Sequence, residues 1–212
     1  AVASLKTVLT QLQASAQGGN AGTVNVYLSD FDTRLQGSVS VNLADPASLA
    51  KLHTLLNDMA SGGGTNYEVA FKDAANWFHS AQVNANEGKN LTYFITDGAP
   101  TFYQTKESTS FTVNGSTLST NDFVPGESVY KSFWYGSREV ITADGTVQEW
   151  SLLGSKVIGY IGADGKGGYE FSEQAGTGNS TSTATRQNSV DAFALLQGLS
   201  DVEAIGLGPT LP

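Results

Sequence analysis

Apolar side chains recur every three or four residues at the start of the chain, and this period predicts an amphipathic helix over residues 1–16. A glycine-rich stretch at residues 18–20 is expected to end that helix. Apolar and polar residues then alternate over residues 23–31, which predicts a strand, and a second short strand is expected at 39–43. The Asp-Pro pair at residues 45–46 supplies an N-cap and a proline suited to the first helical position, so a helix is expected to begin there.

The same two periods continue further along the chain. A helix is expected over residues 66–82, and residues 91–95 form a nearly all-apolar run that is typical of a strand buried on both faces. Far downstream, the pattern predicts a helix over 190–199 and a strand over 202–207. Strands and helices in alternation favour an α/β fold with a doubly wound, mainly parallel sheet of the Rossmann type.

Residues 101–187 interrupt this rhythm with short alternating runs and no long helical period. Two Asp-Gly pairs, at 144–145 and 164–165, are strong hairpin signals. We therefore interpret this segment as a β-rich insertion between a core strand and the next core helix. Its low-complexity end, residues 176–187, is expected to be a mobile return linker.

The resulting domain organisation is an α/β core made of residues 1–100 and 188–212, interrupted by the insertion at 101–187. The first residues already lie inside a helical pattern, and the last follow directly on an apolar strand. We expect the chain to be a piece of a longer protein.

Composition narrows the classes of function. The 212 residues carry a net charge of −9 and no run of Lys or Arg, which argues against a nucleic-acid binder and against attraction to an anionic membrane. No apolar run is long enough to span a bilayer, so no membrane insertion is expected. The chain has no cysteine, which excludes disulfides and thiolate chemistry, and its two histidines give little support to a Ser/His/Asp triad.

Two short segments carry candidate metal chemistry. The loop 61–66 holds Thr65 just before a predicted helix, and Asp97 follows the predicted strand at 91–95. A hydroxyl and a carboxylate at the carboxyl edge of an α/β sheet suit a hard divalent cation such as Mg²⁺ or Ca²⁺. The alternative is structural: Thr65 caps a helix and Asp97 begins a turn.

A second pair of acids, Asp30 and Asp32, lies at the end of the strand predicted over 23–31. The two carboxylates could act together, but a turn at the strand end also explains them, because Asp favours turns.

The segments Gly-Gly-Gly-Thr-Asn-Tyr-Glu at 62–68 and Tyr-Phe-Ile-Thr-Asp-Gly-Ala-Pro at 93–100 resemble the von Willebrand factor A domain. The likeness is greatest to the A domains of large bacterial RTX-type adhesins secreted by the type I route. It implies that Thr65 and Asp97 match the second and third loops of a metal-ion-dependent adhesion site. The first loop of that family, Asp-x-Ser-x-Ser, has no match in the chain and would be expected upstream of Ala1.

The resemblance implies an extracellular adhesion module on a bacterial cell surface, not an enzyme, with a role in biofilm formation. A divalent cation would bind a protein, peptide or glycan partner, and the module would be joined to the rest of the adhesin chain. Two alternatives remain: a structural extender with a degenerate site and no ligand, and a metal-dependent hydrolase.

A cluster of aromatic residues in the insertion is the second candidate binding site. Tyr130, Trp134 and Tyr135 could stack on a sugar ring or anchor a peptide if they are exposed. If they are buried, with Phe133, they form the core of a small β-rich lobe.

Overall fold

The computed structural model describes residues 2–16, 23–60, 62–84 and 90–207. The α-helices in these ranges are α1 (Val2–Ala16), α2 (Pro46–Asp58), α3 (Tyr67–Phe78), α4 (Ala81–Asn84) and α5 (Thr183–Ala194). The strands are β1 (Asn25–Phe31), β2 (Leu35–Asn42), β3 (Leu91–Thr96), β4 (Phe102–Ser108), β5 (Ser110–Val113), β6 (Ser116–Ser119), β7 (Val129–Phe133), β8 (Gly136–Ile141), β9 (Thr146–Ser151), β10 (Gly154–Ala163), β11 (Tyr169–Gly176) and β12 (Asp201–Gly206).

The largest sheet is antiparallel throughout. Its six strands lie in the order β4-β11-β10-β9-β8-β7, while β1 pairs with β2 and β5 with β6 as separate antiparallel hairpins. Among the described residues, only β3 and β12 pair in parallel, with α5 in the connection between them. The predicted doubly wound, mainly parallel sheet is therefore wrong. Neighbouring strands joined by short turns pair as hairpins, and most strands of this chain are joined in that way.

The helix predicted over 190–199 overlaps the observed α5 only at 190–194, because α5 begins at Thr183 and ends at Ala194. Its start is fixed by a capping box: the Thr185 amide donates to the Ser182 hydroxyl at 3.1 Å, and the Thr185 hydroxyl accepts from the Ser182 amide at 2.8 Å. The prediction of a linker over 176–187 is wrong for its last residues. Their Ser- and Thr-rich composition hides a helix start, because the cap uses Thr at the position where Glu or Gln is usual.

The strand predicted at 91–95 is observed as β3, but it is not buried on both faces. Phe94 packs against the core of α3 and α5, whereas Leu91 and Tyr93 are exposed. The apolar composition of the strand was therefore misleading about its burial within the described structure. The predicted end of α1 at residues 18–20, and Ser61 in the loop before α3, lie outside the described residues.

Three apolar cores hold these elements together. One lies under the six-stranded sheet, one between α3, α5 and β3, and one beneath α1, α2 and the β1–β2 hairpin. Their fully buried members include Val140, Ile141, Val147, Ala75, Leu196, Val41, Leu43, Leu52 and Leu56. The proposed boundary between a core and an inserted lobe stays a prediction.

Buried charges fasten α3 to the six-stranded sheet. Lys72 of α3 lies 2.8 Å from Glu68 one turn earlier, 2.7 Å from Glu107 of β4 and 2.6 Å from Glu170 of β11. The second oxygen of Glu68 accepts the backbone N–H of Gln104 at 2.8 Å. Lys72 and Glu68 of the helix are both buried, whereas the side chains of Glu107 and Glu170 from the sheet are 39% and 17% exposed.

Candidate functional sites

The loop that holds Thr65 contacts the segment that follows β3, in which Asp97 lies. The Thr65 carbonyl accepts the amides of Thr101 and Phe102, at 2.8 and 3.0 Å, which fixes the loop before α3 against the segment that follows β3. The backbone at Gly98 comes so close to this loop that a Cβ there would lie 3.2 Å from the Thr65 hydroxyl oxygen. The residue next to Asp97 therefore contacts Thr65.

Asp32, one of the two acids at the end of β1, contacts the same loop. The Asn66 amide donates to the Asp32 carbonyl at 2.8 Å, and a Cβ on Gly63 would lie 3.1 Å from the outer carboxylate oxygen of Asp32. The other oxygen of Asp32 accepts from the Arg34 amide and from the Thr33 and Gln36 side chains, as in a turn. Burial raises the pKa of Asp30, and the nearby charge of Asp32 raises it further.

The edge that holds Thr65, Asp97, Asp30 and Asp32, which we call the acidic edge, supplies few ligands for a metal ion. No group of three or more His, Asp or Glu side chains within the described ranges is arranged to hold one. Mg²⁺ needs near-octahedral oxygen coordination, and Ca²⁺ takes about six to eight oxygen ligands. Thr65 and Asp97 can supply part of such a set, so the cation site predicted from them remains a prediction.

Large apolar side chains are presented to solvent at a different place, where two adjacent hairpins of the six-stranded sheet turn. Trp134 and Tyr135 form the turn between β7 and β8, and Leu152 and Leu153 form the turn between β9 and β10. The exposed fractions are 88% for Trp134, 74% for Leu152 and 100% for Leu153. Because the hairpins are consecutive and antiparallel, both turns lie at the same end of the strands, which we call the hairpin end.

The aromatic residues predicted to bind a ligand have two different environments, and Tyr130 lies near the start of β7, away from the hairpin end. Trp134 is exposed, and so is Tyr130, at 60%. Tyr135 is half-buried: its ring stacks on Phe133 at 5.4 Å between centroids, and its hydroxyl donates to the Trp150 carbonyl at 3.2 Å. Tyr135 therefore supports the turn, whereas Trp134 and Tyr130 are available to a partner.

Arg138 packs against two aromatic rings at the base of the hairpin end. Its guanidinium carbon lies 5.6 Å from the ring centroids of both Tyr135 and Trp150. The Trp150 backbone is held in turn by Asn114, whose amide group both donates to the carbonyl and accepts from the N–H. A groove of about 420 Å³ lies beside this contact and reaches Leu153 and Lys156. The exposed side chains thus stand on an ordered base.

Turn chemistry does not require apolar residues at the hairpin end. At the opposite end of the same strands, the turns contain Asp144-Gly145 and Asp164-Gly165, and polar pairs of this kind are common in hairpin turns. At the hairpin end the backbone requirement is met by the glycines that follow each turn, Gly136 at φ 109° and Gly154 at φ 133°. The turn conformation therefore does not require the apolar side chains that precede these glycines.

Sequence reasoning missed Leu152 and Leu153. A pair of Leu residues is usually assigned to a core. Here the pair is the two-residue loop between the strands β9 and β10. The signal that could have found the pair is its position directly before a glycine in a hairpin loop of two residues.

The chain was compared with protein-family models, with curated proteins and with solved structures, and none of the three comparisons found a match. The resemblance to the von Willebrand factor A domain therefore stays a prediction based on residues 62–68 and 93–100. None of the described helices has the length and apolar character needed to cross a membrane.

Proposed function

We propose that this chain is a non-catalytic, extracellular binding module of a large bacterial surface adhesin, and that its hairpin end contacts the partner. The observation that carries the proposal is the exposure of Trp134, Leu152 and Leu153 together at one end of an ordered sheet. Large apolar side chains that are exposed at the same end of a sheet are typical of an interaction site. The resemblance described above supports the adhesin context.

The physical basis is the cost of leaving these side chains in water. Burying a Leu side chain is worth about 1.5–3 kcal/mol, and Trp is among the residues that dominate binding energy at interfaces. The Arg138 and Asn114 contacts hold the turns in place before binding, so little conformational entropy is lost when a partner covers them.

Adhesion of coated beads tests this function. Beads that carry the chain are expected to adhere to intact cells, and beads that carry Trp134→Ala together with Leu153→Ser are expected to lose most of that adhesion. Removing two central apolar contacts should weaken binding by at least about tenfold. Adhesion that is unchanged in the double variant would favour the structural extender instead.

The acidic edge supports a second candidate function, cation-dependent binding. The specific observation is the close approach of Gly98 to the Thr65 hydroxyl, next to Asp97, with Asp30 and Asp32 at the same edge. A bound cation with an open coordination position would accept an acidic or oxygen-rich group of the partner. Thr65 and Asp97 would be its ligands from this chain.

We expect the chain by itself to bind Ca²⁺ and Mg²⁺ only weakly at this edge. One hydroxyl and one carboxylate replace too few of the water molecules around a divalent ion. Isothermal titration with each metal is the measurement, with Asp97→Ala as the comparison. Micromolar binding that Asp97→Ala abolishes would mean that another group, such as Asp30 or Asp32, completes the ligand set.

A further inference from the structure

We propose that the hairpin end docks on the phosphate-bearing surface of a lipid bilayer, with Trp134, Leu152 and Leu153 at the boundary between headgroups and acyl chains. This inference rests on the proposed function, because the same side chains make the contact, and it names the class of partner.

The shape of the hairpin end favours a bilayer over a folded partner. Each apolar group lies at the tip of a two-residue turn, so the surface is convex. The two hairpins pair with each other only at Ile141 and Val147, at the opposite end of the strands, so the tips are two separate projections. A protein partner would need two matching recesses. A bilayer deforms around both tips and imposes no such match.

The chemistry of the tips favours lipid over a glycan. Leu152 and Leu153 carry no hydrogen-bonding group in their side chains, whereas sugar recognition needs polar groups placed around a stacking ring. Trp combines a large apolar body with one N–H donor and is enriched at membrane interfaces for that reason. Leucine and tryptophan at exposed turns therefore suit the boundary between headgroups and acyl chains.

Basic residues flank the tips, and one of them, Lys156, has Glu149 as its cross-strand neighbour. Lys131 and Arg138 are direct cross-strand neighbours on β7 and β8, and Lys156 follows the β9–β10 turn. In the part of the chain that the structure describes, no carboxylate lies within 4.0 Å of their charged groups. Like charges placed opposite each other in a sheet are unfavourable, so an anionic group between Lys131 and Arg138 would relieve a repulsion.

The whole-chain charge of −9 hides this local pattern. Around the hairpin end, the three basic residues outnumber the two acidic ones, Glu139 and Glu149. Lipid phosphates are complementary to such a surface, and long Lys and Arg side chains reach headgroups while apolar neighbours lie deeper. The sequence-based argument against an anionic membrane considers the net charge and the absence of a run of Lys or Arg. Neither describes basic residues that come together from separate strands.

Vesicle sedimentation tests the proposal. The chain is mixed with vesicles of phosphatidylcholine, and with vesicles that also contain phosphatidylglycerol, and the bound fraction is measured. We expect binding to both, stronger with phosphatidylglycerol. Leu152→Ser with Leu153→Ser should lower the partition coefficient by at least about tenfold on both vesicles. Lys131→Gln with Lys156→Gln should remove the preference for phosphatidylglycerol.

Val190→Ser is the matched control, because Val190 is an equally apolar side chain, 60% exposed, on α5. It should bind vesicles as the unaltered chain does, and circular dichroism should show that every variant is folded. Failure of the unaltered chain to bind either vesicle, or equal binding by the Leu variant, would overturn the proposal. Bead adhesion that depends on Trp134 in the absence of vesicle binding would indicate a protein or glycan partner and leave the binding function intact.

Discussion

Replacing Lys72 with Met is expected to lower the free energy of unfolding by about 3–5 kcal/mol at pH 8. The variant removes the cation that three carboxylates share at 2.6–2.8 Å, while Glu68, Glu107 and Glu170 remain. Glu68 is only 2% exposed, so water cannot take over the role of the ammonium group. Chemical denaturation at fixed pH measures the loss.

The loss should shrink as the pH falls, because protonation neutralises the carboxylates. Burial raises the pKa of Glu68 to about 7, although Lys72 and the Gln104 amide act in the opposite direction. Burial acts to lower the pKa of Lys72, but attraction to Glu68 and hydrogen bonds to Glu107 and Glu170 raise it, so the lysine stays charged. The native state therefore keeps a proton on Glu68 at a pH where the unfolded chain has lost it.

The direction in which the stability of the unaltered chain changes with pH follows from this difference in the pKa of Glu68. A carboxyl whose pKa is raised on folding stabilises the protein below its unfolded pKa, here 4.5, and this contribution is lost as the pH rises through about 7. We expect Glu68→Gln to remove the part of the pH dependence between those values. The amide oxygen of Gln can still accept the N–H of Gln104.

Lys106→Met provides the control for the loss of an ion pair as such. Lys106 lies 2.9 Å from Glu173, but the two side chains are 70% and 40% exposed. Exposed pairs contribute about 0–1 kcal/mol, so this variant should be nearly neutral. A Lys72→Met variant as stable as Lys106→Met would show that α3 does not depend on the buried charges for its contact with the sheet.

Secondary structure was predictable where the signal is local, and the pairing of strands was not. The Asp45-Pro46 start gives α2 as expected, with the Asp45 side chain accepting from the Ala47 amide. The Asp-Gly pairs at 144 and 164 lie in turns between strands of the six-stranded sheet. The sheet itself depends on contacts between distant residues, such as β4 with β11, which no local period records.

The candidate sites show the same difference between local signals and contacts of distant residues. Trp134 and Tyr130 were identifiable as candidates from the aromatic cluster, but their exposure depends on the turn in which Trp134 lies and on the edge strand that carries Tyr130. Asp32 contacts the loop of Thr65 through its backbone carbonyl and its carboxylate, and this contact across the fold is not visible in the sequence. Lys72 and its three glutamates come from three separate elements, so only the Glu68–Lys72 spacing within one helix was visible beforehand.

Gly176→Ala is the other variant expected to have a large effect. Gly176 ends β11 with φ at 128°, a conformation that side chains rarely adopt. A Cβ there would lie 2.2 Å from the Thr101 carbonyl oxygen and 2.8 Å from the Phe102 Cα, both backbone atoms that cannot rotate away. We expect a loss of about 1–3 kcal/mol from backbone strain and about 1–3 kcal/mol more from the clash, measured by denaturation.

Gly154→Ala separates the two contributions. Gly154 has nearly the same φ, 133°, but a Cβ there would have no atom within 4 Å. Gly154→Ala should therefore lower the free energy of unfolding only by the cost of backbone strain. The difference between the two variants then gives the cost of the clash between a Cβ at residue 176 and residues 101–102.

The amides of Thr101 and Phe102 donate to the Thr65 carbonyl, so Gly176→Ala should also loosen the loop that carries Thr65. Faster hydrogen exchange at these two amides in Gly176→Ala, and unchanged exchange in Gly154→Ala, is the expected result; equal exchange in both would mean that the six-stranded sheet does not hold the acidic edge in place.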